Sequence, residues 1–241
     1  MAKFELESLL SNNTYPGRGI VVGLSADKKT ALFAYFIMGR SVNSRNRVFE
    51  EFEGGMRTKA FDESKVVDPS LIIYNPYLKI GDIDIITNGD QTDTVYNFIK
   101  NDPTDSAAFC KALSTREFEP DAPNFTPRIS GILYYDFKKK SFKYSLSILK
   151  SGSTPEICNR FFFDYTPEAG VGHFIHTYLH DGNPIPSFCG EPEEVALPDT
   201  AEELADLVWN NLNEDNKVSL IVRGVSLETG EARTIIINKN K

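Results

Sequence analysis

Cysteine, histidine and tryptophan are scarce in this 241-residue chain, which has three, three and one of them. Cys110, Cys158 and Cys189 are odd in number, far apart, and in no CxxC or Cys/His spacing. That argues against a disulfide frame and against a structural zinc site. Long apolar runs are missing too. No stretch approaches the ~18 apolar residues of a membrane span, and the start, MAKFELESLLSNN, lacks the apolar core of a signal peptide. The expectation is a reduced, cytoplasmic protein with no membrane partner. Positive charge is also short: 26 Lys and Arg against 34 Asp and Glu, a formal net charge of −8. A nucleic-acid binder normally carries a basic face, so that class is disfavoured. An acidic chain can still hold an anionic ligand by gathering its arginines locally.

Internal repeats, low-complexity linkers and convincing boundaries are likewise absent, so residues 1–241 read as one domain. Residues 5–10 predict a short amphipathic helix before the breaker SNNTYPG. GRGIVVGLS and TALFAYFIMG predict a hairpin whose second strand is too apolar to face solvent on either side. SLIIYNPYLKIGDIDIIT suggests another strand pair, followed by helices over about 92–101 and 106–114. RISGILYYDFKKKSFKYSLSILKS is a hairpin with a lysine-rich turn, and NRFFFDYTPEAGVGHFIHTYLHDG continues as strands. In TAEELADLVWNNLN, Thr200 is placed to cap a helix and Glu203 to complete its capping box. KVSLIVRGVS and EARTIIINK close the chain as a last hairpin. Eight to ten strands against three helices favour an α+β domain of antiparallel sheets with helices outside.

Three stretches carry candidate chemistry. Arg18, then Arg40, Arg45 and Arg47 in GRSVNSRNRVF, place guanidinium forks among small polar residues, a composition that suits phosphate oxygens and equally suits a solvated loop. TNGDQTDTVYNFI changes from strand to helix across a polar turn. There Asn88-Gly89 is a favoured turn pair, Thr92 a plausible N-cap and Asp93 a favourable first-turn charge. The same groups could instead face a polar small molecule. His173, His176 and His180 would share one face of a helix, but the segment reads as a strand, on which 173 and 176 point opposite ways. A metal site is therefore not expected. Gly17, Gly19 and Gly23 are one residue too wide for a dinucleotide fingerprint, and neither a P-loop nor a GxSxG elbow occurs.

Taken in order, YPGRGIVVG, GRSVNSRNR, YNPYLKIGD, TNGDQTDTV and NFTPRISG resemble the sequence blocks of the archaeal-type IMP cyclohydrolase family, over most of the first 135 residues. The resemblance implies a four-layer αββα sandwich of the N-terminal nucleophile hydrolase type, used without a terminal nucleophile; Met1-Ala2 supplies none. It implies closure of 5-formamidoimidazole-4-carboxamide ribotide to IMP with loss of water, the last step of purine synthesis, with no metal and no cofactor. Arg45 or Arg47 matches the family's active-site arginine, a choice that the loop length leaves open. Tyr74 and Asn75 match its Tyr-Asn pair, the phenol suiting a developing oxyanion, and Glu119 stands as general base. Asn88, Gly89, Thr92 and Asp93 match ligand-facing positions. Tyr15, Arg18 and Arg128 lie in matching blocks as substrate-side residues, a structural role remaining open. The expected partners are the purine ribotide and IMP, with a homo-oligomer left open. An amide hydrolase of the same fold and a non-catalytic purine nucleotide binder are the alternatives.

Overall fold

A computed structural model describes residues 4–66, 72–154 and 156–241. In chain order its elements are α1 (Leu6–Asn12), β1 (Arg18–Leu24), β2 (Thr30–Met38), α2 (Val42–Arg45), β3 (Arg47–Phe52), β4 (Gly55–Ala60), β5 (Tyr77–Ile80) and β6 (Ile83–Thr87). Then come α3 (Gln91–Asn101), α4 (Ala108–Ser114), β7 (Arg128–Asp136), β8 (Ser141–Ser151), β9 (Cys158–Tyr165), β10 (Val171–His176), β11 (Glu193–Ala196), α5 (Ala201–Asn211), β12 (Lys217–Ser226) and β13 (Ala232–Asn238). Ser70 and Leu71, at the head of one predicted strand pair, and Met1 and Ala2 lie outside the described residues.

The apolar alternation of β1 and β2 dictates the layering. Ile20, Val22, Phe33, Tyr35 and Ile37 pack on one face, and Val21, Leu32, Ala34, Phe36 and Met38 on the other. Strands apolar on both faces must lie between two packed layers. On one side is a second sheet, which contributes Phe49, Tyr77, Ile86, Ile129, Leu133, Leu146 and Ile148. On the other are α1 and α5, through Leu6, Leu10, Leu204 and Val208. The second sheet covers its own outer face with α3 and α4, where Val95, Ile99, Phe109 and Leu113 meet Ile85, Ile132 and Leu149. The order is helix, sheet, sheet, helix. The six-stranded sheet runs β11-β10-β1-β2-β12-β13 and the seven-stranded sheet β3-β4-β5-β6-β7-β8-β9. Every ladder within them is antiparallel.

The predicted hairpins β1-β2, β7-β8 and β12-β13 form, and Thr200 and Glu203 make their reciprocal capping box. The strand count is higher than predicted, thirteen among the described residues, because β3, β4 and β11 were not legible. In β3 the alternation is blurred by an inward-facing Arg47 and by the adjacent Glu50 and Glu51. GRSVNSRNRVF is accordingly a four-residue helix followed by a strand, not a loop. Helix α3 starts at Gln91, so Thr92 sits inside its first turn and is not the N-cap. Its hydroxyl instead shares a 2.6 Å hydrogen bond with Thr87 and donates to the Gly89 carbonyl.

Candidate active site

The inter-sheet space opens where β1 and β3 start and β2 ends. A cavity of about 270 Å³ there is lined by Tyr15, Arg18, Arg40, Ser41, Ser44, Arg47, Glu119, Asp121 and Tyr178, among others. Local structure fixes each wall. Gly17, at φ +81°, turns the chain where a Cβ would strike Thr177 and the Tyr178 ring. The next residue, Arg18, is held by its N–H donating to Thr177 Oγ1 at 3.1 Å. Glu119 sits on a loop folded back on itself: its N–H donates to the Thr126 carbonyl, while Asp121 accepts from the Thr126 N–H and hydroxyl. That leaves the Thr126 oxygen to accept from the Tyr178 phenol at 2.5 Å. Tyr178 stacks on Tyr15 with ring centroids 5.7 Å apart, and the Arg40 guanidinium lies 5.0 Å over the Tyr15 ring.

The charges are unevenly compensated. Arg18 Nη2 donates to Glu119 Oε1 at 2.6 Å, with both side chains buried. Burial pushes the Glu119 carboxyl above the usual glutamate range, against the opposing pull of Arg18 and Arg128. Burial also works against the charge on Arg18, but Glu119 beside it, with Tyr178, Tyr74 and Tyr35, holds that guanidinium firmly protonated. Arg40 pairs with Asp181 at 2.5 Å. Arg47 differs. It is only 2% exposed, and its Nε and Nη2 donate to the carbonyls of Ser44 and Met38; among the described residues no carboxylate pairs with it. A buried cation without a counter-ion is costly, and an anion entering the cavity would relieve that cost.

Beside these arginines the Tyr35 and Tyr74 phenols meet at 2.6 Å, both buried. Burial and the adjacent Tyr74 hold the Tyr35 phenol well above its usual range, with Arg18 and Arg47 pulling the other way. Two segments 39 residues apart thus converge on the same end of the sheets.

The structure separates the sequence candidates into groups. Arg47 lines the cavity, whereas Arg45 turns away: its Nε donates to the Gly39 carbonyl and its Nη2 to Asn216 Oδ1, beside a separate depression with Lys217 and Lys239. Tyr15, Arg18 and Glu119 are brought together in the lining. Tyr74 is not in the lining; it follows the lining residue Ile72 by two positions, and its phenol interacts electrostatically with Arg18. Asn75 is turned to α3, donating to Asp93 Oδ1 at 2.9 Å.

Asn88 is consumed by the fold, because its amide donates to the Pro127 carbonyl and accepts from Gln91 Nε2 and the Ile129 N–H. Gly89 lies where a Cβ would run into Arg128 Nη1 and Gln91 Oε1, and Thr92 is buried against Thr87. Arg128 itself pairs with Asp90 at 2.7 Å and Gln91 at 2.8 Å, facing a depression shared with Arg116 and Arg160. The polar turn therefore clamps α3 to the start of β7, with its hydrogen-bonding groups spent internally.

His173 and His176 follow the strand reading, His173 bonding the Tyr144 phenol and His176 the Tyr178 carbonyl and Glu193; His180 lies beyond β10, its Nδ1 against the Asp181 carbonyl.

Tyr178 and Tyr35 were not among the candidate site residues. Arg40 stood in the arginine cluster without a matched role, and the structure puts it in the cavity wall. Tyr35 carried a weak signal, a phenol on an otherwise apolar doubly buried strand that needs a partner. Tyr178 becomes visible only when β10 returns beside β1.

Two facing antiparallel sheets, helices outside, and an arginine-rich cavity at one end define an α+β sandwich with a polar pocket between its sheets. A family model described as IMP cyclohydrolase-like protein matches residues 15–229, and the chain belongs to that family. The match runs well past the first 135 residues, into the C-terminal third. A stretch of 119 residues is 31% identical to the IMP cyclohydrolase of Methanosphaera stadtmanae, covering 49% of this chain and 57% of that protein. The chain thus spans little more than half the length of this curated relative.

Proposed function

We propose that this protein is an IMP cyclohydrolase, closing 5-formamidoimidazole-4-carboxamide ribotide to IMP and water. The carrying observation is Arg47, a buried guanidinium with no carboxylate partner among the described residues, facing a cavity that also holds the Arg18–Glu119 pair. A ribotide phosphate supplies the missing charge and matches the guanidinium fork. Arg47 is assigned as the main phosphate ligand, with Arg18 and Arg40 alongside; Arg45 is not assigned to it. Tyr15 and Tyr178 offer aromatic surface for the base.

In the reaction the carboxamide nitrogen attacks the formyl carbon of the same molecule, giving a carbinolamine. Loss of that hydroxyl and of the formamido N–H proton as water leaves the new ring C=N bond, with no change of oxidation level. An amide nitrogen is a poor nucleophile, so holding the formyl group in its near-attack rotamer is a large part of the task. Glu119 is assigned as the base for the nitrogen proton, and the burial that pushes its carboxyl above the usual range makes its carboxylate a stronger base than an exposed one. Tyr74 is assigned as donor to the formyl oxygen as it gains charge. Asn75, Asp93, Asn88, Gly89, Thr92 and Arg128 are assigned supporting roles that fix the Tyr74 segment and the loop behind Glu119.

The helix–sheet–sheet–helix order also supports a relation to the N-terminal nucleophile hydrolase fold. The protein is proposed to be cytoplasmic, with the ribotide as its partner. Spectrophotometric turnover of the formamido ribotide tests this reading directly. IMP binding without turnover would instead mark a nucleotide binder.

A further inference from the structure

We propose that Tyr35 is the positioning residue for Tyr74, donating its phenol proton to the Tyr74 oxygen so that the Tyr74 O–H is free to act in the cavity. The inference rests on the ring-closure reading for its chemistry, but not for its geometry.

Two phenols 2.6 Å apart share one proton between them, so one donates and the other keeps a free O–H. Burial selects which. Tyr35 is fully buried on β2, in the apolar cluster with Phe33 and Ile37, and its ring packs on Phe49 at 5.8 Å. Among the described residues its oxygen has Tyr74 as its hydrogen-bond partner. Were Tyr74 the donor, the Tyr35 proton would point into apolar packing with nothing to accept it, an expensive arrangement. With Tyr35 as donor, the free proton belongs to Tyr74, two residues beyond the cavity-lining Ile72.

The backbone holds Tyr74 in register for this, since its N–H donates to Thr58 Oγ1 and its carbonyl accepts from Thr58. The charged groups facing the pair are Arg18 from β1 and Arg47 from β3, with Glu119 and Tyr178 set against Arg18. Their positive potential favours negative charge on the pair. Donation from Tyr35 then spreads any charge developing on Tyr74 over two oxygens. No covalent bond changes at Tyr35; it acts only through Tyr74.

The test is a cycle of Tyr35→Phe, Tyr74→Phe and the double variant, assayed for kcat and KM on the formamido ribotide. Tyr35→Phe is expected to lower kcat roughly 10–100-fold, a share of the about 10²–10³ carried by a direct oxyanion donor, with KM within about threefold. Added to Tyr74→Phe, it should change kcat by less than about twofold. Unchanged kcat, or the same loss in both backgrounds, overturns the proposal, because a purely packing role would cost the same in each.

A readout without substrate separates failure of this inference from failure of the ring-closure reading. By NMR of labelled tyrosine, the Tyr35 hydroxyl proton should be far downfield and slow to exchange in the unaltered protein, as a buried donor to Tyr74, and should move upfield in Tyr74→Phe. Should that variant not fold, the unaltered protein suffices: the Tyr35 hydroxyl proton should exchange with solvent more slowly than that of Tyr74. A downfield, slow-exchanging hydroxyl proton on Tyr74 and not on Tyr35 overturns the proposal even if the unaltered protein turns over no ribotide.

Discussion

Replacing Glu119 by glutamine separates the chemistry of the carboxylate from its place in the fold. The substitution keeps shape and leaves an amide oxygen to accept from Arg18 Nη2, now 2.6 Å from the carboxylate. Two effects on stability oppose each other. Leaving a buried Arg18 without its counter-charge costs up to about 3–5 kcal/mol. Against that, the glutamine carries none of the desolvation penalty that pushes the Glu119 carboxyl up. Burial outweighs the pull of Arg18 on the Glu119 carboxyl, so the neutral glutamine is expected to leave Tm at neutral pH unchanged or slightly higher. Turnover should nonetheless fall by about 10²–10⁴, the usual contribution of a positioned general base.

The pH dependence carries the sign. As the proposed base Glu119 must be ionised, so the rate is expected to rise with pH as it loses its proton, with burial setting that limb above the usual glutamate value of about 4.3. A raised folded-state pKa also means that the stability Glu119 contributes is full below its unfolded value and is lost as pH rises through the folded one. In Glu119→Gln both the rate limb and this part of the stability profile should be absent. The assay is initial ribotide turnover from pH 5 to 9, well below the Tm recorded at each pH. A folded Glu119→Gln protein with unaltered turnover across that range would refute the base assignment.

Other perturbations test the rest of the site. Arg47→Ala should weaken IMP binding by the roughly 1.5–3 kcal/mol of a charge-assisted contact, seen in calorimetry and chiefly in KM, while Arg45→Ala leaves it nearly unchanged; the reverse ranking would refute the placement of the two arginines. Asn88→Ala should lower stability by about 1–3 kcal/mol in urea, since it orphans the Pro127 carbonyl and the Ile129 N–H, yet shift the IMP Kd less than about threefold; a large Kd shift would restore a ligand role to that turn. Deeper between the sheets, Asp84 accepts from the Tyr77 and Tyr135 phenols and lies 3.5 Å from Arg223, so Asp84→Ala should cost about 3–5 kcal/mol; a loss under 1 kcal/mol in chemical denaturation would show the cluster to be energetically idle.

What the sequence determined by itself is local. The doubly apolar TALFAYFIM can be satisfied only between two layers, the capping box at Thr200 and Glu203 closes within one helical turn, and the lysine-rich turn after β7 pairs neighbours in the chain. These follow from periodicity and turn chemistry, which act over a few residues. The ordered polar blocks also pointed to Arg18, Tyr74 and Glu119, which do converge on one end of the sheets.

Tertiary structure decided what lies across the chain. Arg45 and Arg47 are two residues apart and chemically identical; the end of α2 sends one outward, and the first pleat of β3 sends the other in. Composition gave Asn88 and Arg40 similar promise, but hydrogen bonds to Pro127 and Ile129 spend the first, while packing over Tyr15 puts the second in the cavity wall. Tyr35 acquires its phenol partner only when a segment 39 residues away is laid against β2. Such pairings depend on which strands become neighbours and in what register, and a register is fixed by whole faces packing together, not by the residues that it happens to bring into contact.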